Sequence, residues 1–227
     1  MRDSLWYSDG TKLNYFYGYR DEQNRYKVGT TSVYVVMDVY SEKFLGYYIS
    51  DTEDYIAQYN AYRMALQTSG FKPYQITFDN QGGHKKLQAG DFLSQLSARL
   101  SIPTKPYNGK SKTIESAFGR FQSQILKQDW FFTGQNITSK SDESRANMEF
   151  ITANRHNLPS KDEVKEVFKR RLNEWNNGKR PNTTNSRNEM YATSENPKAV
   201  KLELMDMVDL FWVTREKSVQ ATAYGIS

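Results

Sequence analysis

Three acidic residues hold positions from which they could act together. Asp9 lies within a run of strand-forming residues, Asp79 ends another, and Glu115 sits in the first turns of a strongly periodic helix. Between Asp79 and Glu115 lie 35 residues. Carboxylates gathered within about 4 Å of one another repel by roughly 4 kcal/mol per pair at an effective dielectric near 20. Such a group persists only by taking up protons or cations. The chain has no cysteine and only two histidines, His84 and His156, which excludes thiolate metal sites, cysteine nucleophiles and a histidine-rich zinc site. Hard oxygen ligands alone select Mg²⁺ or Mn²⁺. Two such ions about 3.5–4 Å apart clamp the attacking and leaving oxygens of an in-line phosphoryl displacement. Each carboxylate also has a plainer reading: a surface residue on a strand for Asp9, a turn cap for Asp79, and a charge favourable near a helix N-terminus for Glu115.

The elements that must position these residues can be read from hydrophobic spacing. Leu5–Tyr17, Thr30–Tyr40 and Lys43–Ser50 read as strands with short connections, and Ser41-Glu42 supplies a tight turn, so an antiparallel meander is expected. Asp54–Ser69 shifts to helical spacing, with Tyr55, Tyr59, Tyr62, Ala65 and Leu66 on one stripe, and stops at Gly70. Pro73–Phe78 reads as a short strand, Phe92–Leu100 as a helix and Ser101–Tyr107 as extended. In Ser111–Lys127 the residues Ile114, Ala117, Phe118, Phe121 and Ile125 form one continuous apolar stripe. The polar stretch 129–159 reads as a long loop or lid with one short helix near Arg145–Ala153. A capping box at Ser160-Lys161-Asp162-Glu163 opens a helix to about Trp175. Asn176–Pro197 has the composition of a linker, and Asp209–Ala223 alternates like a strand pair. The expected organisation is an α/β core over residues 1–195, followed at 196–227 by a linker and the beginning of a small C-terminal β-barrel-like domain. The abrupt start and end lead us to expect a piece of a longer protein.

The motifs around the three carboxylates carry a resemblance. Pro106-Tyr107-Asn108-Gly109-Lys110-Ser111-Lys112-Thr113-Ile114-Glu115-Ser116 resembles the third-carboxylate motif of retroviral integrases and related DDE transposases. Trp6-Tyr7-Ser8-Asp9-Gly10-Thr11 is similar to their first motif, Thr77-Phe78-Asp79-Asn80 to their second, and the 35-residue gap to their spacing. Ile114-Glu115-Ser116-Ala117-Phe118-Gly119 and Phe132-Thr133-Gly134-Gln135-Asn136 also look like bacteriophage Mu-type transposases. The resemblance covers about residues 4–195. It implies a ribonuclease H-like fold, a mixed five-stranded sheet flanked by helices. It also implies a DNA transposase or integrase core that cleaves element ends and joins them to target DNA. Asp9 would bridge two Mg²⁺ (or Mn²⁺), with Asp79 on one ion and Glu115 on the other. DNA and further copies of the chain assembled on it would be the partners, and the bacterial cytoplasm, at the nucleoid, the location.

Charge distribution fits a polyanion partner. The net charge is only +5, but residues 1–58 carry six basic and nine acidic residues, whereas 99–127 carry six basic against Glu115 alone. Lys110, Lys112 and Arg120 around the third carboxylate, Lys85 and Lys86 in a Gly-rich loop, and Arg170-Arg171 near a helix end are the expected DNA contacts. Gly119, inside the helix of Glu115, fits either close approach of DNA or tight helix packing. Asp38 is the rival first carboxylate and reads as a structural turn residue. No apolar run approaches membrane-spanning length, and neither histidine sits in the His-x-x-Arg setting of a tyrosine recombinase, despite 16 tyrosines. A ribonuclease H-like nuclease or resolvase, and a catalytically silent DNA-binding module, remain the competing readings.

Overall fold

The computed structural model describes residues 1–52, 54–78, 92–103, 112–134, 148–211, 221–222 and 225–226. Its centre is a five-stranded mixed sheet. Strand β1 (Leu5–Arg20) pairs antiparallel with β2 (Tyr26–Asp38), and β2 with β3 (Phe44–Ser50). On its other side β1 runs parallel to β5 (Gln75–Phe78), and β5 to β6 (Leu100–Pro103), giving the order β3-β2-β1-β5-β6. The short β4 (Phe71–Lys72) pairs outside this sheet with β7 (Val200–Lys201).

Both faces of the sheet are buried, which is why β2 reads as an almost unbroken apolar run. Val33, Val35 and Met37 point into one core with Tyr7, Leu13 and Tyr15 of β1. Tyr34 and Val36 point into the other with Trp6. The first core is covered by α3 (Lys112–Gln124), through Ile114, Ala117, Phe118 and Phe121, and by α5 (Lys161–Asn177), through Val164, Phe168, Leu172 and Trp175. The second is covered by α1 (Tyr55–Ser69) and α2 (Phe92–Leu96). Asp54 caps α1 by accepting from the Ala57 N–H, and Gly70 ends it at φ +73°, a conformation glycine adopts without a side-chain clash. The Tyr-rich stripe grades from buried Tyr62 to Tyr59, which stacks on Phe92, and to Tyr55 at the exposed end.

Two contacts lock these layers. Gly46 of β3 lies so close to α1 that a Cβ there would sit 2.2 Å from the Ala61 carbonyl oxygen and 2.6 Å from the Ala65 nitrogen. Small residues at 57, 61 and 65 permit that approach. On the other face the Asn176 side chain exchanges two 3.0 Å hydrogen bonds with the Phe44 backbone, tying α5 to β3.

Several sequence expectations are corrected. The 129–159 stretch begins as a turn packed on the sheet and not as a free polar loop, because Phe131 and Phe132 are buried against β1, with Phe16 N–H donating to the Phe131 carbonyl. Its short helix is α4 (Met148–Ala153). The presumed linker contains α6 (Arg187–Thr193), opened by a second capping box, Ser186 with Glu189, and burying Arg187, Met190 and Tyr191. Asp209–Phe211 is helical, not a strand: it closes α7 (Leu204–Phe211), with Leu210 buried and Phe211 packed on Tyr59 and Phe92. Leu202 N–H donates to the Gly70 carbonyl, and Lys72 pairs with Asp206 at 2.7 Å, so residues 202–211 pack on the second core. Beyond it, β8 (Ala221–Thr222) pairs with β9 (Gly225–Ile226). Among the described residues no helix is long and apolar enough to cross a membrane.

Candidate active site

The period-two alternation of β1 decides where Asp9 goes. Tyr7, Leu13 and Tyr15 face the first core, so Asp9 and Thr11 lie on the same face, between Tyr7 and Leu13. The next-door residue Ser8 faces the opposite way and is buried. Its hydroxyl lies 2.5 Å from the Tyr62 hydroxyl and accepts from Tyr34 at 2.9 Å. Burial is the main force that lifts the Tyr34 hydroxyl well above the ordinary tyrosine range, and the Asp9 charge adds to it. Burial likewise pushes Tyr62 up to about 12. Both therefore stay protonated at neutral pH and serve as hydrogen-bonding groups behind the strand segment that carries Asp9.

Helix α3 crosses this part of β1. Its 3.6-residue period brings Ile114, Glu115, Phe118, Gly119 and Gln122 to one side. With Asp9, Thr11 and Val35 they line a cavity of about 200 Å³. Val35 is the direct cross-strand partner of Asp9. Ile114, Phe118 and Val35 are buried and form its apolar floor. Asp9 and Glu115 thus share one cleft, and among the described residues none that lines it is a lysine or arginine. Among the described residues its polar lining is two carboxylates, a hydroxyl and a carboxamide. This donor set fits a hard divalent cation.

Asp79 lies outside the described residues, as do Lys85, Lys86 and Lys110. Strand β5, which leads to Asp79, ends at Phe78, whose parallel partner is Ser8, the residue before Asp9. Among the described residues no group of three metal-ligating side chains occurs.

Solved structures share this architecture. A chain of the simian T-cell lymphotropic virus intasome, in complex with PP2A regulatory subunit B56 gamma, superposes with a TM-score of 0.56 at 17% identity. That match covers 96% of this chain and 61% of the other, so the present chain spans about three-fifths of that relative. The catalytic core domain of BIV integrase matches with a TM-score of 0.52 at 13% identity, over 84% of this chain and 94% of that one. The fold is similar to that of a retroviral integrase catalytic core. At these identities the likeness is one of fold. No protein-family model matches the sequence, and no curated protein matches it.

Within this integrase-like fold the remaining expected DNA contacts divide. Lys112 is the first residue of α3. Arg170 is exposed, beside a separate groove that includes Trp130 and Glu166. Arg120 and Arg171 also make contacts within the protein. Arg120 donates to Glu42 at 2.7 Å and to Ser116 at 3.1 Å. Arg171 grips both oxygens of Asp129 at 2.8 and 3.0 Å, and Asp129 also accepts from the Tyr15 hydroxyl.

Sequence reading missed Glu42. It lies in the β2–β3 turn at φ +58°, is buried, and faces Arg120, Arg180 and Arg187 at 2.7, 3.4 and 3.5 Å. Asp38, the rival first carboxylate, is fully buried and accepts from the Asp3 and Ser41 N–H groups and the Ser41 hydroxyl. It holds a turn, as its position at the end of β2 implied. Gly119 resolves differently. A Cβ built there meets nothing within 4 Å among the described residues.

Proposed function

We propose that this chain is the catalytic core of a DNA transposase or integrase, cleaving DNA to leave a 3′-hydroxyl and joining that end to a target strand. The observation that carries the reading is the shared cleft: Asp9 from the central strand and Glu115 from the crossing helix line one cavity. It occurs on a fold similar to integrase catalytic cores. Asp9 and Glu115, together with Asp79, would hold two Mg²⁺ or Mn²⁺. Those ions, when bound, supply charge stabilisation at the phosphorus and lower the pKa of the attacking group.

The chain's own residues do the rest. The Ser8–Tyr34–Tyr62 hydrogen bonds fix the strand segment that bears Asp9. Val35, Ile114 and Phe118 keep the cleft floor apolar, which strengthens electrostatic interactions above it. Thr11 and Gln122 offer hydrogen bonds beside the carboxylates. DNA, as element ends and target, is the partner, and further copies of the chain assemble on it in the bacterial cytoplasm. The sequence motifs favour a Mu-type transposase within this group.

The test is a supercoiled plasmid incubated with a short duplex carrying a pre-cleaved 3′-hydroxyl end, in Mg²⁺ or Mn²⁺. A transposase joins the duplex to the plasmid. A nuclease nicks the plasmid without joining, and a silent DNA-binding module does neither while binding DNA with steep salt dependence. Either of the last two results overturns the proposal.

A further inference from the structure

Helix α3, which carries Glu115, is seated on the sheet by Ile114, Ala117, Phe118 and Phe121. Apolar burial is strong but non-directional, so it sets only loosely how far a helix is rolled about its own axis. At about 100° per residue, Glu115 and Arg120 fall on opposite flanks of that stripe, each about 110° from its centre. Whatever holds Arg120 therefore also holds the roll, and with it the place of Glu115 in the cleft.

Arg120 is held by Glu42. One arm of its guanidinium donates to the Glu42 carboxylate at 2.7 Å, across 78 residues of sequence. The other arm reaches the Ser116 hydroxyl of its own helix at 3.1 Å. Glu42 is in turn a fixed post. Its N–H donates to the Asp38 carbonyl at 2.9 Å, and its carbonyl accepts from the Trp175 indole at 3.0 Å. Arg180 and Arg187 approach its carboxylate at 3.4 and 3.5 Å, and the Arg187 guanidinium lies 3.4 Å from the centre of the Trp175 ring. The β2–β3 turn and the end of α5 thus converge on one carboxylate, and α3 joins them through Arg120.

Stability alone explains the pair poorly. Desolvation offsets most of the attraction in a buried ion pair. Two other cations already stand at Glu42, and the Nε–H of Arg120 is buried without an acceptor. What the pair adds is direction. Building on the transposase reading, we propose that the Glu42–Arg120 pair is the positioning device for Glu115, fixing the roll of α3 and so the place of that carboxylate beside Asp9. Both act through Glu115 and touch neither DNA nor metal. A roll of about 10°, at the roughly 5–6 Å radius of a helix with its side chains, moves a carboxylate by about 1 Å. A misplacement of that size costs on the order of 10²-fold in rate.

The experiment uses the full chain, a duplex ending at the cleavage position, and Mn²⁺. Single-turnover cleavage at saturating DNA is followed against Mn²⁺ concentration, DNA affinity by fluorescence anisotropy across a salt series, and folding by thermal melting. Arg120→Gln should slow cleavage by about 10–100-fold and raise the Mn²⁺ needed for half-maximal rate, with DNA affinity and salt slope unchanged. Arg120→Lys, which keeps a charged donor toward Glu42, should recover part of the rate. Glu42→Gln should match Arg120→Gln in cleavage, and the double variant should be no slower than the slower single, because one linkage is broken in all three. A fall of about one in the salt slope for Arg120→Gln would mark a phosphate contact and overturns the proposal. Additive losses in the double variant overturn it as well. Should Glu42→Gln fail to melt cooperatively, the two Arg120 variants decide, and a lysine variant no faster than the glutamine one overturns the proposal. A wild-type chain that cleaves no DNA overturns it together with the transposase reading, whereas a cleaving wild type with unaffected variants overturns this proposal alone.

Discussion

The β2–β3 turn and the cleft under α3 both gather carboxylates, and they treat them in opposite ways. In the turn, Asp38 is saturated by two backbone N–H groups and a hydroxyl, and Glu42 is ringed by three guanidinium groups. In the cleft, Asp9 and Glu115 are set among apolar residues, a hydroxyl and a carboxamide, with no basic residue among the described lining. A carboxylate met by fixed donors contributes to the fold. A pair of carboxylates brought to one cleft from a strand and a crossing helix is suited to ions that arrive from outside. The distinction separates structural from chemical acids where residue type alone does not.

The comparison can be broken most decisively at the cleft. Asp9→Asn and Glu115→Gln should each reduce plasmid cleavage and end joining by on the order of 10³-fold or more, since several kcal/mol of charge stabilisation is removed. Thermal melting should show the fold intact. An active variant of either residue would remove it from the chemistry. Glu42→Ala should do the reverse at the turn. Removing the single carboxylate leaves Arg187 buried beside other cations, a loss of about 3–5 kcal/mol. The Tm should drop by roughly 6–20 °C, and an unchanged melting curve would show that the ring of arginines does not depend on Glu42.

A smaller effect is expected from pH. Burial holds the Asp38 carboxyl up at about 6, against an ordinary value of 3.8. A carboxyl raised on folding favours the folded state while protonated. Its contribution is full below about pH 4 and is lost as the pH climbs through 6. The stability of the wild type relative to Asp38→Asn, measured by denaturant unfolding, should therefore fall by on the order of 1–3 kcal/mol between pH 4 and 6. A constant difference would mean that Asp38 is charged throughout.

Local signals in the sequence were sufficient for much of this. The alternation of β1 put Asp9 on the face shared with Leu13 and Tyr15, and the apolar stripe of α3 placed Glu115 at the margin of its buried side. The capping box at Ser160 marked α5. The same signal at Ser186 and Glu189 was equally present, but the polar, Asn-rich composition around it concealed α6. Leu204–Phe211 is only eight residues long, too short for period two and period 3.6 to be separated reliably. Arg120 and Arg171 pair within the protein with acids distant in sequence, Glu42 by 78 residues and Asp129 by 42. Neither composition nor spacing reveals which acid a guanidinium will find after folding. Asp79, Lys85, Lys86 and Lys110 lie outside the described residues.

Gly46 gives the scaffold a tolerance of almost nothing at one point. Any side chain there would act as a wedge between β3 and the Ala61–Ala65 turn of α1. Tyr62 belongs to that turn, and its hydroxyl reaches Ser8 across the sheet. Prising the helix away would slacken the backing of the strand two places along, so a position bearing no chemistry of its own governs how steadily the aspartate beside Ser8 is aimed.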